Sequence, residues 1–149
     1  GIRPGTLPVP LIVGFGKACD ISYHITESES KKILKLRNIL IKKIKSEIPD
    51  TLLNGCIDKR LPGNINLTFP TLRGQSIIAA VPNIAISSGS ACTSSSPKPS
   101  HVLLELGLSK DLSNSSIRVG IGRFNTKEEI IIAADSIIKA IKFKSWKYD

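Results

Sequence analysis

Methionine is absent from this sequence, which begins at Gly1 inside what reads as a loop. A processed initiator explains a glycine start but not a missing N-terminal element, so the expectation is a fragment, a split-gene product or a processed chain. Cysteine is sparse and odd in number, with Cys19, Cys56 and Cys92 alone. That excludes a disulfide framework and suits a reducing, cytoplasmic compartment. The two histidines, His24 and His101, do not join the cysteines at metal-ligand spacing, so no metal centre is expected. No apolar run approaches the roughly 20 residues needed to cross a bilayer. The apolar opening from Leu7 to Gly16 is interrupted by two prolines and lacks a basic leader, which argues against a signal peptide and a membrane partner. With two tyrosines and no nucleic-acid motif, base stacking on RNA is also set aside.

What is present describes a globular chain of one domain: 149 residues, 41% hydrophobic and 22% charged. The net charge is +9. Much of it lies at Lys31, Lys32, Lys35, Lys42, Lys43 and Lys45, within one helix-like stretch. Such a run is first a solvated face, with an acidic partner protein as the competing reading.

Apolar spacing predicts a helix from Leu7 to Tyr23. A second helix should open at the capping box formed by Thr26 and Glu29, carry Ile33, Leu36, Leu40, Ile44 and Ile48 on one stripe, and stop at Pro49. Asn54-Gly55 marks a turn. Strict alternation from Asn64 to Phe69 predicts a half-buried strand facing inward at Ile65, Leu67 and Phe69. A short helix is expected over Gly74 to Ala80, a short buried strand over Ile84 to Ile86, and a loop from Ser87 to Ser100. His101 to Leu106 reads as a short helix closed by Gly107. A second alternating strand should run from Ser116 to Gly122, with Ile117, Val119 and Ile121 inward. A capping box at Thr126 and Glu129 opens a last helix bearing Ile130, Ala134, Ile137 and Ile141. The fold class is therefore α+β: two long helices packed on a short sheet.

Three constellations carry possible chemistry. Cys92 lies in Ser87-Ser88-Gly89-Ser90-Ala91-Cys92-Thr93-Ser94, a small-residue loop giving a thiol the exposure and freedom that nucleophilic attack needs. It can equally be a cysteine without a chemical role. Arg118 alternates with apolar residues and is flanked on its own face by Ser116 and Gly120, as suits a pocket wall holding a carboxylate; a salt-bridging surface arginine is the competing reading. Arg123, at the end of the same strand, reads as structural. Arg3-Pro4-Gly5-Thr6 combines a cation, a tight turn and a hydroxyl that suit a phosphate, or places Thr6 as a helix N-cap.

Four segments occur in order: Arg-Pro-Gly-Thr-Leu-Pro at 3–8, Leu-Pro-Gly-Asn-Ile-Asn-Leu-Thr-Phe at 61–69, Ser-Ser-Gly-Ser-Ala-Cys-Thr-Ser at 87–94, and Ser-Ser-Ile-Arg-Val-Gly-Ile-Gly-Arg-Phe at 115–124. Together they resemble the C-terminal third of cysteine desulfurases of the IscS/NifS type, in the class-V aminotransferase family. The resemblance implies the small C-terminal domain of the fold-type I pyridoxal-phosphate transferase fold. Residues 1–24 would be a linker helix from the large domain, and 25–149 the small domain with a mobile Cys loop at 87–100. It implies a homodimer that uses pyridoxal 5'-phosphate and L-cysteine, releases L-alanine, and leaves a persulfide on Cys92. The sulfur would pass to an iron–sulfur scaffold or to a tRNA-thiolation protein, and Cys92 would transiently ligate a cluster through its persulfide. Arg118 would hold the substrate carboxylate and Thr6 would reach the cofactor phosphate across the dimer.

The Ser-x-His-Lys segment that holds the cofactor in that family does not occur in these residues, and most of the cofactor pocket is missing with it. The 149 residues alone are therefore expected to be inactive. An inactive remnant, acting at most as an interaction module, is the main alternative. A hydrolase built on Cys92 and His101 is a third reading, weakened by the lack of an orienting acid.

Overall fold

The computed structural model describes residues 5–88 and 99–145, with side chains through Phe143. Its first element corrects the expectation of two helices. α1 is continuous over Val9–Glu47, 39 residues. Nothing between Tyr23 and Ser30 breaks it, because that stretch contains neither glycine nor proline. Thr26 does not cap: its hydroxyl donates to the carbonyl oxygen of Ser22, one turn back. The helix ends after Glu47, where Ile48 leaves helical geometry while its N–H still reaches the Ile44 carbonyl at 2.8 Å, and Pro49 follows.

Burial divides α1 in two. Ile33, Leu36, Leu40 and Ile44 repeat at helical spacing and are buried. Val9–Lys32 amounts to about 36 Å of helix at 1.5 Å per residue and contributes nothing to the core. There Leu11, Phe15 and Tyr23 are 72%, 73% and 85% exposed.

Four short strands form an antiparallel sheet in the order β1-β2-β4-β3: β1 (Leu52–Leu53), β2 (Asn64–Thr68), β3 (Ser87–Ser88) and β4 (Ser116–Gly120). The long pair β2–β4 runs from Asn64 opposite Gly120 to Thr68 opposite Ser116. The expected alternation holds: Ile65, Leu67, Phe69, Ile117, Val119 and Ile121 are buried. β4 ends at Gly120, earlier than expected, although the Ile121 N–H still meets the Gly63 carbonyl at 2.9 Å. Ile84–Ile86 is not a strand. Ile84 and Ile86 pack partly buried against the core, and pairing begins only at Ser87 and Ser88, inside the expected loop. Apolar character marked burial there, whereas ladder bonding was decided by the neighbouring strand.

The helices α2 (Gly74–Ala80), α3 (His101–Glu105), α4 (Lys110–Asn114) and α5 (Lys127–Ser145) complete the chain. α4 was not anticipated; the Ser109 hydroxyl caps it by accepting from the Leu112 N–H at 3.2 Å. The capping box at α5 is as expected: the Thr126 N–H reaches Glu129 Oε2 at 3.0 Å, and the Glu129 N–H reaches Thr126 Oγ1 at 3.2 Å. Buried residues of α1 and α5, including Leu40, Ile44, Ala134 and Ile137, form one core cluster with β2 and β4.

Two glycines are required by close approach. A Cβ on Gly63 would lie 2.0 Å from the Ile121 carbonyl oxygen, and one on Gly74 would lie 2.3 Å from that of Ser116. Among the described residues, no helix is long and apolar enough to cross a membrane.

Candidate functional site on the polar face of the sheet

Because side chains alternate along a strand, the pattern that turns Ile117 and Val119 to the core turns Ser116, Arg118 and Gly120 to the opposite face. On β2 the same face carries Asn64, Asn66 and Thr68. The register places Asn66 opposite Arg118 and Arg118 opposite Ser87. The Asn54 N–H meets the Asn66 carbonyl at 3.0 Å and extends the row beyond β1. Asn54, Asn66, Arg118 and Ser87 thus form a polar row that crosses β2, β4 and β3 and continues to Asn54 just past the end of β1.

One end of the row is tied down. Asn54 Nδ2 donates to Asn66 Oδ1 at 2.6 Å, to Thr68 Oγ1 at 2.7 Å and to Ser116 Oγ at 3.3 Å. The Thr68 and Ser116 hydroxyls lie 2.7 Å apart, and the Ser116 hydroxyl donates to the Leu112 carbonyl at 2.8 Å. Thr68 and Ser116 are fully buried, so these bonds satisfy groups that would otherwise be costly to dehydrate. The result is a stiff polar floor.

Arg118 stands beside that floor on a different footing. It is half-buried, and its side chain makes no hydrogen bond or ion pair among the described residues. Its same-face neighbours are small, as the sequence indicated, and among the described residues, its chain neighbours aside, no atom lies within 4 Å of where a Gly120 Cβ would be. A planar guanidinium whose donors are not taken by the described residues can bind a carboxylate through two hydrogen bonds. Arg123, by contrast, is structural as expected: its Nε meets Glu29 Oε1 at 3.1 Å.

Cys92 lies outside the described residues, as do Arg3 and most of the expected 87–100 loop. Cys92 follows Ser88 by four residues in the sequence. Ser88 belongs to the strand paired with Arg118's own.

Thr6 is exposed, and the competing assignment for it is not observed. The N-cap of α1 is Pro8, with no side-chain capping bond. Thr6 lies about 40 Å from Ile33 at 1.5 Å per helical residue, so it does not share a site with the polar row within this chain. His101 is exposed at the start of α3. No group of His, Cys, Asp and Glu suited to a metal occurs among the described residues. A shallow cleft of about 190 Å³ beside Arg73, Asp111 and Asn114 is lined by none of the candidate residues.

Sequence reasoning singled out Arg118 as a candidate but did not reveal the asparagine–hydroxyl floor next to it. Alternation had already marked Asn66 as facing away from the core. Asn54 read only as a turn residue, because its partners are 12 to 62 residues away in sequence.

Residues 1–132 match the family model described as aminotransferase class-V. Among curated proteins, the chain is 52% identical over 142 residues to cysteine desulfurase IscS of Ehrlichia chaffeensis, covering 95% of this chain and 35% of that protein. It is 49% identical to cysteine desulfurase IscS of Rickettsia typhi, with 95% and 34% covered. To the cysteine desulfurase of Rattus norvegicus it is 46% identical, with 95% and 32% covered. The chain thus spans about a third of the length of the curated relatives it matches. Among solved structures, a NifS-like protein superposes with a TM-score of 0.81 at 25% identity, covering 96% of this chain and 36% of the other. A NifS-like protein from Rickettsia africae gives 0.79 at 28% identity, with 95% and 37% covered.

Proposed function

The chain belongs to the class-V aminotransferase family, and on that premise we propose that it is the C-terminal part of a cysteine desulfurase, which moves sulfur from L-cysteine onto Cys92. The observation that carries this reading is Arg118: a guanidinium without a partner among the described residues, on a stiff polar face, one strand away from the segment that runs into the Cys92 loop. Free donors in that position suit the carboxylate of an amino-acid substrate. With the carboxylate fixed, the substrate's sulfur becomes the group that a thiol on the neighbouring loop can reach.

In the proposed step, the Cys92 thiolate attacks the substrate sulfur. A bond forms between the two sulfurs, the substrate Cβ–S bond breaks, and its electron pair stays on Cβ, which takes up a proton. The products are L-alanine and a Cys92 persulfide, with no outside oxidant or reductant. Pyridoxal 5'-phosphate, when bound, supplies the electron sink that weakens the Cβ–S bond. Of the residues in hand, Thr6 suits the phosphate end of that cofactor: its hydroxyl is exposed and is not used to cap α1. Its distance from Arg118 along this chain fits a contact made to a second protomer, as in a homodimer.

In this reading residues 1–24 link to a larger domain, whose surface covers the apolar side chains at Leu11, Val13 and Phe15, and 25–149 form the small domain. The persulfide would go to an iron–sulfur scaffold or to a tRNA-thiolation protein.

The test uses the full-length protein with pyridoxal phosphate and L-cysteine, measuring alanine and sulfur transfer to an acceptor. Cys92→Ala should abolish transfer. Arg118→Ala should raise KM for cysteine by about 10- to 100-fold, as expected for losing a charged hydrogen-bonded pair. Sulfur transfer unchanged in Cys92→Ala would overturn the proposal.

A further inference from the structure

Asn66 stands opposite Arg118 on the polar face of the sheet, half-buried like the arginine itself. The ladder bonds fall on the flanking pairs: the Phe69 N–H meets the Ser115 carbonyl, and the Ile121 N–H meets the Gly63 carbonyl. Counting inward from either end, Asn66 and Arg118 form a non-hydrogen-bonded pair. In such a pair the Cα atoms are about 4.5 Å apart, the closest approach two facing side chains make across an antiparallel ladder. A ligand held by Arg118 is therefore within reach of Asn66.

Proton bookkeeping in the buried floor decides which end of the Asn66 amide that ligand meets. A main-chain carbonyl only accepts, so the Ser116 hydroxyl spends its proton on the Leu112 carbonyl. The Ser116 oxygen then accepts the proton of Thr68, 2.7 Å away. Thr68 has no second proton to give, so its oxygen accepts from Asn54 Nδ2 at 2.7 Å. The other Nδ2 hydrogen of Asn54 goes to Asn66 at 2.6 Å, and Asn66 must present its oxygen there. Asn66 Nδ2 is thereby turned away from Asn54 and makes no hydrogen bond among the described residues. Among those residues, Arg37 Nε and Arg60 Nη1 are the buried side-chain polar atoms that lack a partner. Asn66 Nδ2 and the Arg118 guanidinium are not of that kind, so both reach accessible surface.

We propose that Asn66 is a second substrate-binding residue, whose Nδ2 donates to the amino-acid carboxylate that Arg118 holds, and that Asn54 positions it. The inference rests on the desulfurase reading, which supplies that carboxylate. Two carboxylate oxygens offer about four acceptor sites, so a guanidinium fork leaves room for an amide donor. Fixing the Asn66 oxygen on Asn54 matters as much as freeing its nitrogen. Turned the other way, that oxygen would accept from Arg118 and compete with the substrate.

The test uses the full-length protein loaded with pyridoxal phosphate, measuring L-alanine binding by calorimetry and alanine release from L-cysteine. Asn66→Ala should raise Kd for L-alanine and KM for cysteine about 10-fold, with kcat within about 2-fold, as for a lost hydrogen bond to a charged group. The variant should fold, because Asn54 Nδ2 keeps Thr68 and Ser116 as acceptors. Asn66→Asp keeps the oxygen that Asn54 holds but sets a carboxylate against Arg118. It should raise both constants further than Asn66→Ala does, which loss of packing alone would not produce. In an Arg118→Ala background, Asn66→Ala should add less than about 3-fold, because the two donors share one carboxylate. Unchanged constants in Asn66→Ala, or the full loss repeated in the Arg118→Ala background, would overturn the role of Asn66 and leave the desulfurase reading standing. A wild type that releases no alanine from cysteine would remove that reading, and the role of Asn66 with it.

Discussion

Two segments of this chain carry the same local motif and use it differently. Thr26-Glu27-Ser28-Glu29 and Thr126-Lys127-Glu128-Glu129 both place glutamate three residues after threonine. At the second, each residue bonds the other's main-chain N–H and α5 begins there. At the first, the helix is already running, and the threonine hydroxyl bonds back to Ser22 instead. What precedes each motif makes the difference. Thr126 follows a turn in which Asn125 Oδ1 accepts from the Gly122 N–H at 2.9 Å, so the chain enters from outside a helix. Thr26 follows unbroken helical residues with no such turn. Glu29, released from capping, pairs instead with Arg123, three residues before the second motif, while Lys32 Nζ reaches the Arg123 carbonyl at 2.9 Å. A capping box therefore permits a helix start; it compels one only where the preceding residues leave the helix.

The sharpest way to break the comparison is to give the first motif the entry it lacks. Glu27→Pro puts proline at the first position after Thr26, where a new helix would tolerate it but a continuing helix would not. It should cost the exposed half of α1 about 3 kcal/mol of local helix stability. Amide exchange followed from Cys19 to Ile25 reads that loss directly. Exchange there should accelerate while protection at Leu36, Leu40 and Ile44 persists, because the core does not use the earlier turns. Loss of protection at both places would show that the two halves fold as one unit.

A smaller effect separates the threonines themselves. Thr126→Ala should destabilise the chain by about 1 kcal/mol in denaturant titration, the usual cost of losing an N-cap. Thr26→Ala should stay within about 0.5 kcal/mol of wild type, as at a surface position without a cap. Equal losses would mean that the first motif still contributes a cap. The smallest effect is in the acid range. The main-chain N–H of Thr126, followed by the Asn125 side chain, holds the Glu129 carboxyl below its ordinary value of 4.5. A depressed folded-state value stabilises the fold above the unfolded pKa, and that gain disappears as pH falls through the folded one. Wild type should therefore exceed Glu129→Gln slightly near neutrality, and the two should converge below about pH 4. A gap that stays constant to lower pH would detach the carboxylate from the cap.

Much of the fold was legible because its signals are local. The stripe from Ile33 to Ile44, the alternation at Ile65 and Leu67, and the second capping box each arise from neighbours within a few residues. Strand alternation likewise identified Arg118, with Ser116 and Gly120 sharing its face. The short strands were less legible: β1 and β3 contain two residues each, too few to show a period, and exist because β2 and β4 offer them partners. The corrected strand near Ile86 shows the same limit, since apolar residues there marked burial but not pairing.

By itself, the sequence determined which apolar stripes lie on helices, which strand faces are apolar, and which segments resemble a sulfur-transferring family, because periodicity and motif are properties of consecutive residues. Only the tertiary structure decided that α1 runs through Thr26, that Asn54 braces Thr68 and Ser116, and that Arg118 and Arg37 lack partners among the described residues. Each of those outcomes depends on which groups meet across long sequence distances, and a hydrogen-bonding side chain has no fixed partner until the packing supplies one or withholds it.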